Sequence, residues 1–151
     1  DDRDVDARLR QTDLSEIVSR IAGIPELRTT MVDAQRAIAA RHPRLVTEGR
    51  DQGSVVFPDA EVRFYLDADS GVRATRRALE MRARGETCDV EEIRRAIEAR
   101  DQSDRGRKDA PLTIPTGAIR IDTGELSVDE VVSILIDHVR EQCGSDAEID
   151  S

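Results

Sequence analysis

The 151-residue sequence has no tryptophan, two cysteines and three aromatic side chains, Phe57, Phe64 and Tyr65. With so few aromatic residues, any core has to be aliphatic. Cys88 and Cys143 make no disulfide framework, which points to a reducing, cytoplasmic setting. With His42 and His138 they give no metal-ligand pattern, so no metal site is expected. No apolar run reaches the roughly 18 residues of a membrane span, and no signal peptide is visible, so no membrane partner is expected. Basic charge is also short. Lys and Arg number 23 against 32 Asp and Glu, a net charge of −9. That balance excludes a general nucleic-acid or anionic-membrane binder, because both need a basic surface.

What is present fits one globular domain. The apolar fraction is 38%, and a chain of this length buries about 70% of its unfolded surface. Of the 23 basic residues all but Lys108 are arginine. A genome rich in G and C is one explanation. Anion recognition is the other, since the planar guanidinium fork grips phosphate in two places.

Hydrophobic spacing and capping signals lay out the elements. Residues 1–12 read as irregular, and Asp13-Leu14-Ser15-Glu16 predicts a capped helix from about 14 to 22. Pro25 opens a second helix to about Ala40, with Leu27, Met31, Ala34 and Ile38 on one face. Leu45-Val46-Thr47 reads as a short buried strand, Pro58-Asp59 as a turn, and Val62 to Leu66 as a second strand. A helix from about Gly71 to Arg84 closes at Gly85, and a helix capped by Asp89 runs to about Ser103. Ala118 to Asp122 is a third strand, and Ser127-x-x-Glu130 caps a last helix to about Gln142, with the tail 144–151 disordered. Strands alternating with helices predict an α/β fold with a mostly parallel sheet. Three strands are few for it, and the first residue is Asp1 rather than Met, so an incomplete sheet is expected. The helical pair 71–103 has no strand between its members and reads as an insertion standing off the sheet, where a mobile lid would sit.

Three clusters carry chemistry. Arg73, Arg76 and Arg77 lie at i, i+3 and i+4 and are expected on one helix face, either solvated or closing on phosphates. Arg100-Asp101-Gln102-Ser103-Asp104-Arg105-Gly106-Arg107 lies where a helix runs into a loop. Arg100, Asp104 and Arg107 share a face if the helix persists, and a local Arg–Asp ladder is the structural alternative. Gly49-Arg50-Asp51-Gln52-Gly53 follows a predicted strand end, the edge at which open α/β sheets bind ligands, and sets a donor fork beside an acceptor.

The stretch from Glu48 to Ala60, EGRDQGSVVFPDA, resembles the signature of bacterial cytidylate kinases. The resemblance continues through Leu66-Asp67-Ala68, Arg73-Ala74-x-Arg76-Arg77, Arg100-Asp101-x-x-Asp104-Arg105-x-Arg107 before Ala110-Pro111-Leu112, and Ile121-Asp122-Thr123. Upstream, Asp4-Val5 and the segment from Ser19 to Arg28 resemble the family's monophosphate-binding insert. Residues 4–142 are covered. Glu48, Gln52 and Ser54 stand where the family usually shows Asp, Met and Thr. The larger departure is an absence: such kinases carry a P-loop, Gly-x-x-x-x-Gly-Lys-Ser/Thr, which this sequence lacks.

The resemblance implies a P-loop nucleoside-monophosphate-kinase-like fold, incomplete at its N-terminus, with 1–42 in the monophosphate-binding insert and connecting helix. Core strands with the Gly-Arg-Asp motif would fill 43–70, a helical lid 71–107, and a core strand with the C-terminal helix 108–143. The implied activity moves the γ-phosphoryl of ATP, with Mg2+, to CMP or dCMP, in a cytoplasmic monomer that takes no nucleic acid. The implied roles place Ser19, Arg28 and Asp51 on cytosine, Arg50 and Arg107 on the acceptor phosphate, Arg100 and Asp104 on the sugar, and Arg73, Arg76 and Arg77 on the transferred phosphoryl. Asp51 also has a reason of its own: a carboxylate attracts the exocyclic amine of cytosine and repels the carbonyl of uracil. The alternative is a non-catalytic nucleotide-binding or interaction module that lost its P-loop.

Overall fold

The computed structural model describes residues 21, 24–42, 44–106 and 112–144. The helix expected at 14–22 falls mostly outside these residues, and the tail expected to be disordered lies outside them from 145 onward. The chain divides into two units, residues 1–48 and 49–151.

In the first unit, α1 spans Pro25–Ala39. Proline suits the first helical position because its missing N–H would have no intrahelical partner there. Glu26 in the first turn and Arg36 in the last complement the helix dipole. Leu27, Met31, Ala34 and Ile38 lie on the expected stripe, and all four are exposed. The expected strand at 45–47 does not form. Among the described residues the one ladder joins two other segments, and Val46 is 97% exposed. Three residues without a neighbouring strand have no ladder to hold them extended.

The second unit is built on a parallel pair, β1 (Phe64–Asp67) and β2 (Ile119–Asp122), in register Phe64 to Ile119 through Asp67 to Asp122. Ile119 N–H on Arg63 O and Thr123 N–H on Asp67 O, each 2.8 Å, extend the ladder at both ends. Alternation puts Phe64, Leu66, Ile119 and Ile121 on one face and Tyr65, Asp67, Arg120 and Asp122 on the other. The expected strand boundaries shift by a residue or two. The helix α4 (Val128–Cys143) meets the first face, where His138 lies 6.2 Å from Phe64 between ring centres. Its start is the predicted capping box: the Ser127 hydroxyl accepts from Glu130 N–H, and the Glu130 carboxylate accepts from Ser127 N–H.

Between the strands lie α2 (Ser70–Ala83) and α3 (Val90–Arg105), which pack on each other. Asp69 caps α2 by accepting from Gly71 N–H, and Asp89 caps α3 by accepting from Glu91 N–H. Gly85, at φ 81°, takes the left-handed conformation that ends α2, and Glu86 N–H returns to Met81 O. Ala74 and Ala78, one turn apart, are buried. The pair is tied to the loops around the sheet. Arg76 reaches the loop after β2, and Arg50 reaches the end of α3.

Before β1 the chain makes a single π turn over Gln52–Val56. Val55 N–H and Val56 N–H both bond to Asp51 O, and Phe57 N–H bonds to Gln52 O. The wider turn buries Val56 completely. At Gly53 an added Cβ would lie 3.1 Å from Pro115 Cγ, so this position needs glycine for close approach. The expected turn at Pro58-Asp59 is closed by Ala60 N–H on Phe57 O.

Because Ala74 has no exposed surface, Ala74→Leu overfills its surroundings and should lower stability by about 1–3 kcal/mol. Urea unfolding monitored by circular dichroism reads the loss, and an unchanged midpoint would refute the assigned packing.

Candidate functional site

The C-terminal edge of the parallel pair feeds directly into arginines. Asp67 ends β1, and Arg73 stands in the first turns of α2, just beyond it. Thr123 follows β2, and Arg76 of α2 reaches it. Arg73 Nη2 donates to Asp101 Oδ2 on α3 at 2.6 Å. Arg50, in the segment before the π turn, donates to Asp104 Oδ2 and stands 3.5 Å from Asp101 Oδ1. Residues 50, 73, 101 and 104 therefore form one cluster of two guanidiniums and two carboxylates.

Both carboxylates are enclosed, Asp101 at 6% and Asp104 at 2% exposure. Their burial follows from the register of α3. Val90, Ile93 and Ile97 form its apolar stripe, and 101 and 104 continue that spacing by four and three residues. Burial pushes the Asp101 carboxyl up, but the Arg73 hydrogen bond and the charges of Arg73, Arg50 and Arg105 outweigh it and hold the group below its ordinary value. The same bond raises Arg73 further, against the opposing effect of burial. Arg73 Nε is buried and has no hydrogen-bond partner among the described residues.

The remaining sequence candidates are placed as follows. Ser19 and Arg107 lie outside the described residues. Arg28 is half-buried on α1, in the first unit. Asp51 is half-buried in the second unit. Its backbone carbonyl holds the π turn, while its side chain makes no cap to that turn. Arg73, Arg76 and Arg77 do not act as one face. Arg73 turns to α3, Arg76 turns to the loop after β2, and Arg77 is exposed with no hydrogen bond or ion pair among the described residues. Long side chains only one turn apart diverge when different acceptors draw them. Arg76 donates to Thr123 Oγ1 at 3.2 Å and to Thr123 O, with Gly124 O and Leu126 O at 3.5 and 3.4 Å. The helix persists through Arg105, so Arg100 and Asp104, four positions apart, lie on neighbouring parts of α3, with Arg100 exposed and Asp104 buried. Among the described residues, arginine partners of Asp101 and Asp104 come from positions 50 and 73, far from the 100–107 segment.

Asp101 and Thr123 are the residues that sequence reasoning passed over. The signal for Asp101 was present, as an apolar stripe that runs on into two aspartates. Thr123 gave none, because its buried hydroxyl matters only where Asp67 O and Arg76 meet.

A parallel pair whose carboxyl ends meet an arginine-bearing helix and an arginine-clasped loop makes this an α/β protein with arginines gathered at one sheet edge. The family model described as cytidylate kinase matches residues 1–141, and the chain belongs to that family. It is 40% identical over 141 residues to a cytidylate kinase of Nitratidesulfovibrio vulgaris strain DP4, covering 93% of this chain and 60% of that protein. It is 43% identical over 140 residues to one of Caldanaerobacter subterraneus subsp. tengcongensis, covering 93% and 62%. Over 141 residues it is 42% identical to one of Salinibacter ruber, covering 91% and 62%. The chain thus spans about three-fifths of the length of the curated relatives it matches.

The lowered Asp101 carboxyl fixes the sign of a pH effect. A depressed folded value stabilises the protein above the unfolded carboxylate range near pH 4, and the contribution fades as pH falls through the folded value. Asp101→Asn should cost about 1–2 kcal/mol at pH 7, a figure reduced because Arg73 and Arg50 are partly exposed. The gap between wild type and variant in thermal melts should narrow as pH falls below the unfolded carboxylate range near pH 4. A gap independent of pH would show that the Asp101 charge does not hold the cluster.

Proposed function

We propose that this chain serves an ATP-dependent cytidylate kinase activity, in which the γ-phosphoryl of Mg-ATP passes to CMP or dCMP and yields CDP or dCDP with ADP. The single observation that carries the reading is the meeting of Arg50 and Arg73 on one buried carboxylate at the C-terminal edge of the sheet. Phosphoryl transfer asks for in-line positioning and neutralisation of oxygen charge more than for covalent chemistry from the protein. Two arginines brought together from distant segments suit that demand.

The family roles distribute over the chain accordingly. Arg50 and Arg107 take the acceptor phosphate, and Arg73, with Arg77 exposed beside it, faces the transferred group. Arg76, clasped to carbonyls, supports α2 from behind. Asp104 with Arg100 takes the sugar. Asp51 takes the base, its carboxylate accepting from the exocyclic amine. The reading includes a monomer working in the cytoplasm.

The described residues do not fit a resident magnesium ion. Among the described residues no group of three or more His, Cys, Asp or Glu side chains is placed to hold one, and the buried aspartates are turned to arginine. Magnesium enters this reading with ATP, as part of the substrate. No helix of the described residues is long and apolar enough to cross a membrane.

Two measurements test the reading. The 151 residues contain no P-loop, so the chain by itself should show no turnover of Mg-ATP with CMP near the usual kinase range of about 1–100 per second. A coupled assay at such rates would contradict this. In calorimetry, the chain should bind CMP in preference to UMP. Asp51→Asn should weaken CMP about tenfold and narrow the gap to UMP, because an amide can turn its NH2 toward the uracil carbonyl. A lowered melting temperature with an unaltered preference would remove Asp51 from base reading.

A further inference from the structure

We propose that Asp101 is a positioning residue that sets the spacing between the two phosphate-facing arginines, Arg50 and Arg73. The inference rests on the cytidylate kinase reading and deepens it at a residue to which that reading gives no role.

Asp101 uses its two oxygens separately. Oδ2 accepts from Arg73 Nη2 at 2.6 Å, and Oδ1 lies 3.5 Å from Arg50 Nη1. The arginines come from segments 23 positions apart in the chain, and their own backbones bring no direct link between the side chains. Asp104 holds Arg50 from a second side, so Arg50 is braced by both carboxylates while Arg73 has Asp101 alone. Losing Asp101 therefore frees Arg73 more than Arg50.

Asp101 is also rigidly set. It lies on the inward face of α3, one turn beyond Ile97, and is nearly inaccessible. It engages Arg73 through Nη2 only, which leaves Nε turned away and without a partner among the described residues. The guanidinium is thus oriented by one edge. Two arginines held near one another also repel, and a carboxylate between them offsets that repulsion before any phosphate arrives. Pre-orienting the donors means that binding does not have to order them.

A ladder of three ligands separates this role from a general structural one. Cytidine carries no phosphate, CMP adds the acceptor phosphate that faces Arg50, and CDP adds the transferred phosphoryl that faces Arg73. Calorimetry of the full 151-residue chain with each ligand, wild type against Asp101→Asn, should give graded losses: cytidine within about twofold, CMP about threefold weaker, CDP about tenfold weaker or more. A thermal melt accompanies each titration. If Asp101→Asn melts below the assay temperature, Asp101→Glu is carried through the same ladder, and the same graded order supports the assignment. Equal losses on all three ligands, or none on CDP, would overturn it while leaving the kinase reading intact. A wild-type chain that binds neither CMP nor CDP would overturn the kinase reading and the assignment together.

Discussion

A carboxylate almost wholly out of water, shared between two guanidiniums, holds the second unit together. An unpaired charge in that place would be costly, and removing one partner of a buried pair is more damaging than either pair is stabilising. Asp101 therefore imposes order on everything that meets it. The end of α3 has to stay helical to point Asp101 and Asp104 inward, α2 has to start where Arg73 can reach across, and the segment before the π turn has to deliver Arg50.

The same side chain solves several other problems in this molecule. Arg63 donates to the carbonyls of Pro58, Ala60 and Thr116, tying the turn before β1 to the loop before β2. Arg76 does the like for the carbonyls after β2. Loop carbonyls near a small aliphatic core need donors, and a planar fork satisfies several at once. The surplus of arginine over lysine is thus partly structural. Other arginine pairs, such as Arg94 with Glu91 and Glu98, are exposed and contribute little.

Chemically, the arrangement suits charge neutralisation better than proton transfer. Its two buried carboxylates are paired with arginine, and the lowered Asp101 is poorly placed as a general base near neutral pH. Membership of the cytidylate kinase family agrees with a site of that character.

The amino-acid sequence by itself determined the local structure. Pro25, Asp69, Asp89, the Ser127–Glu130 box and Gly85 mark helix ends through contacts a few residues apart, and the stripes of α1 and α4 follow from a period of 3.6 residues. The Gly-Arg-Asp and paired-arginine motifs were equally legible, and with them the family. Only the tertiary structure decided which charges meet. Arg50 joins Asp101 and Asp104 across 51 and 54 positions, Arg73 joins Asp101 across 28, and Arg76 leaves its helix neighbours for a loop 47 positions on. It also denied a strand to Leu45-Val46-Thr47 and made a π turn of Gln52–Val56. Helix caps and stripes depend on neighbours along the chain, whereas ion pairs and ladders depend on which surfaces packing brings together.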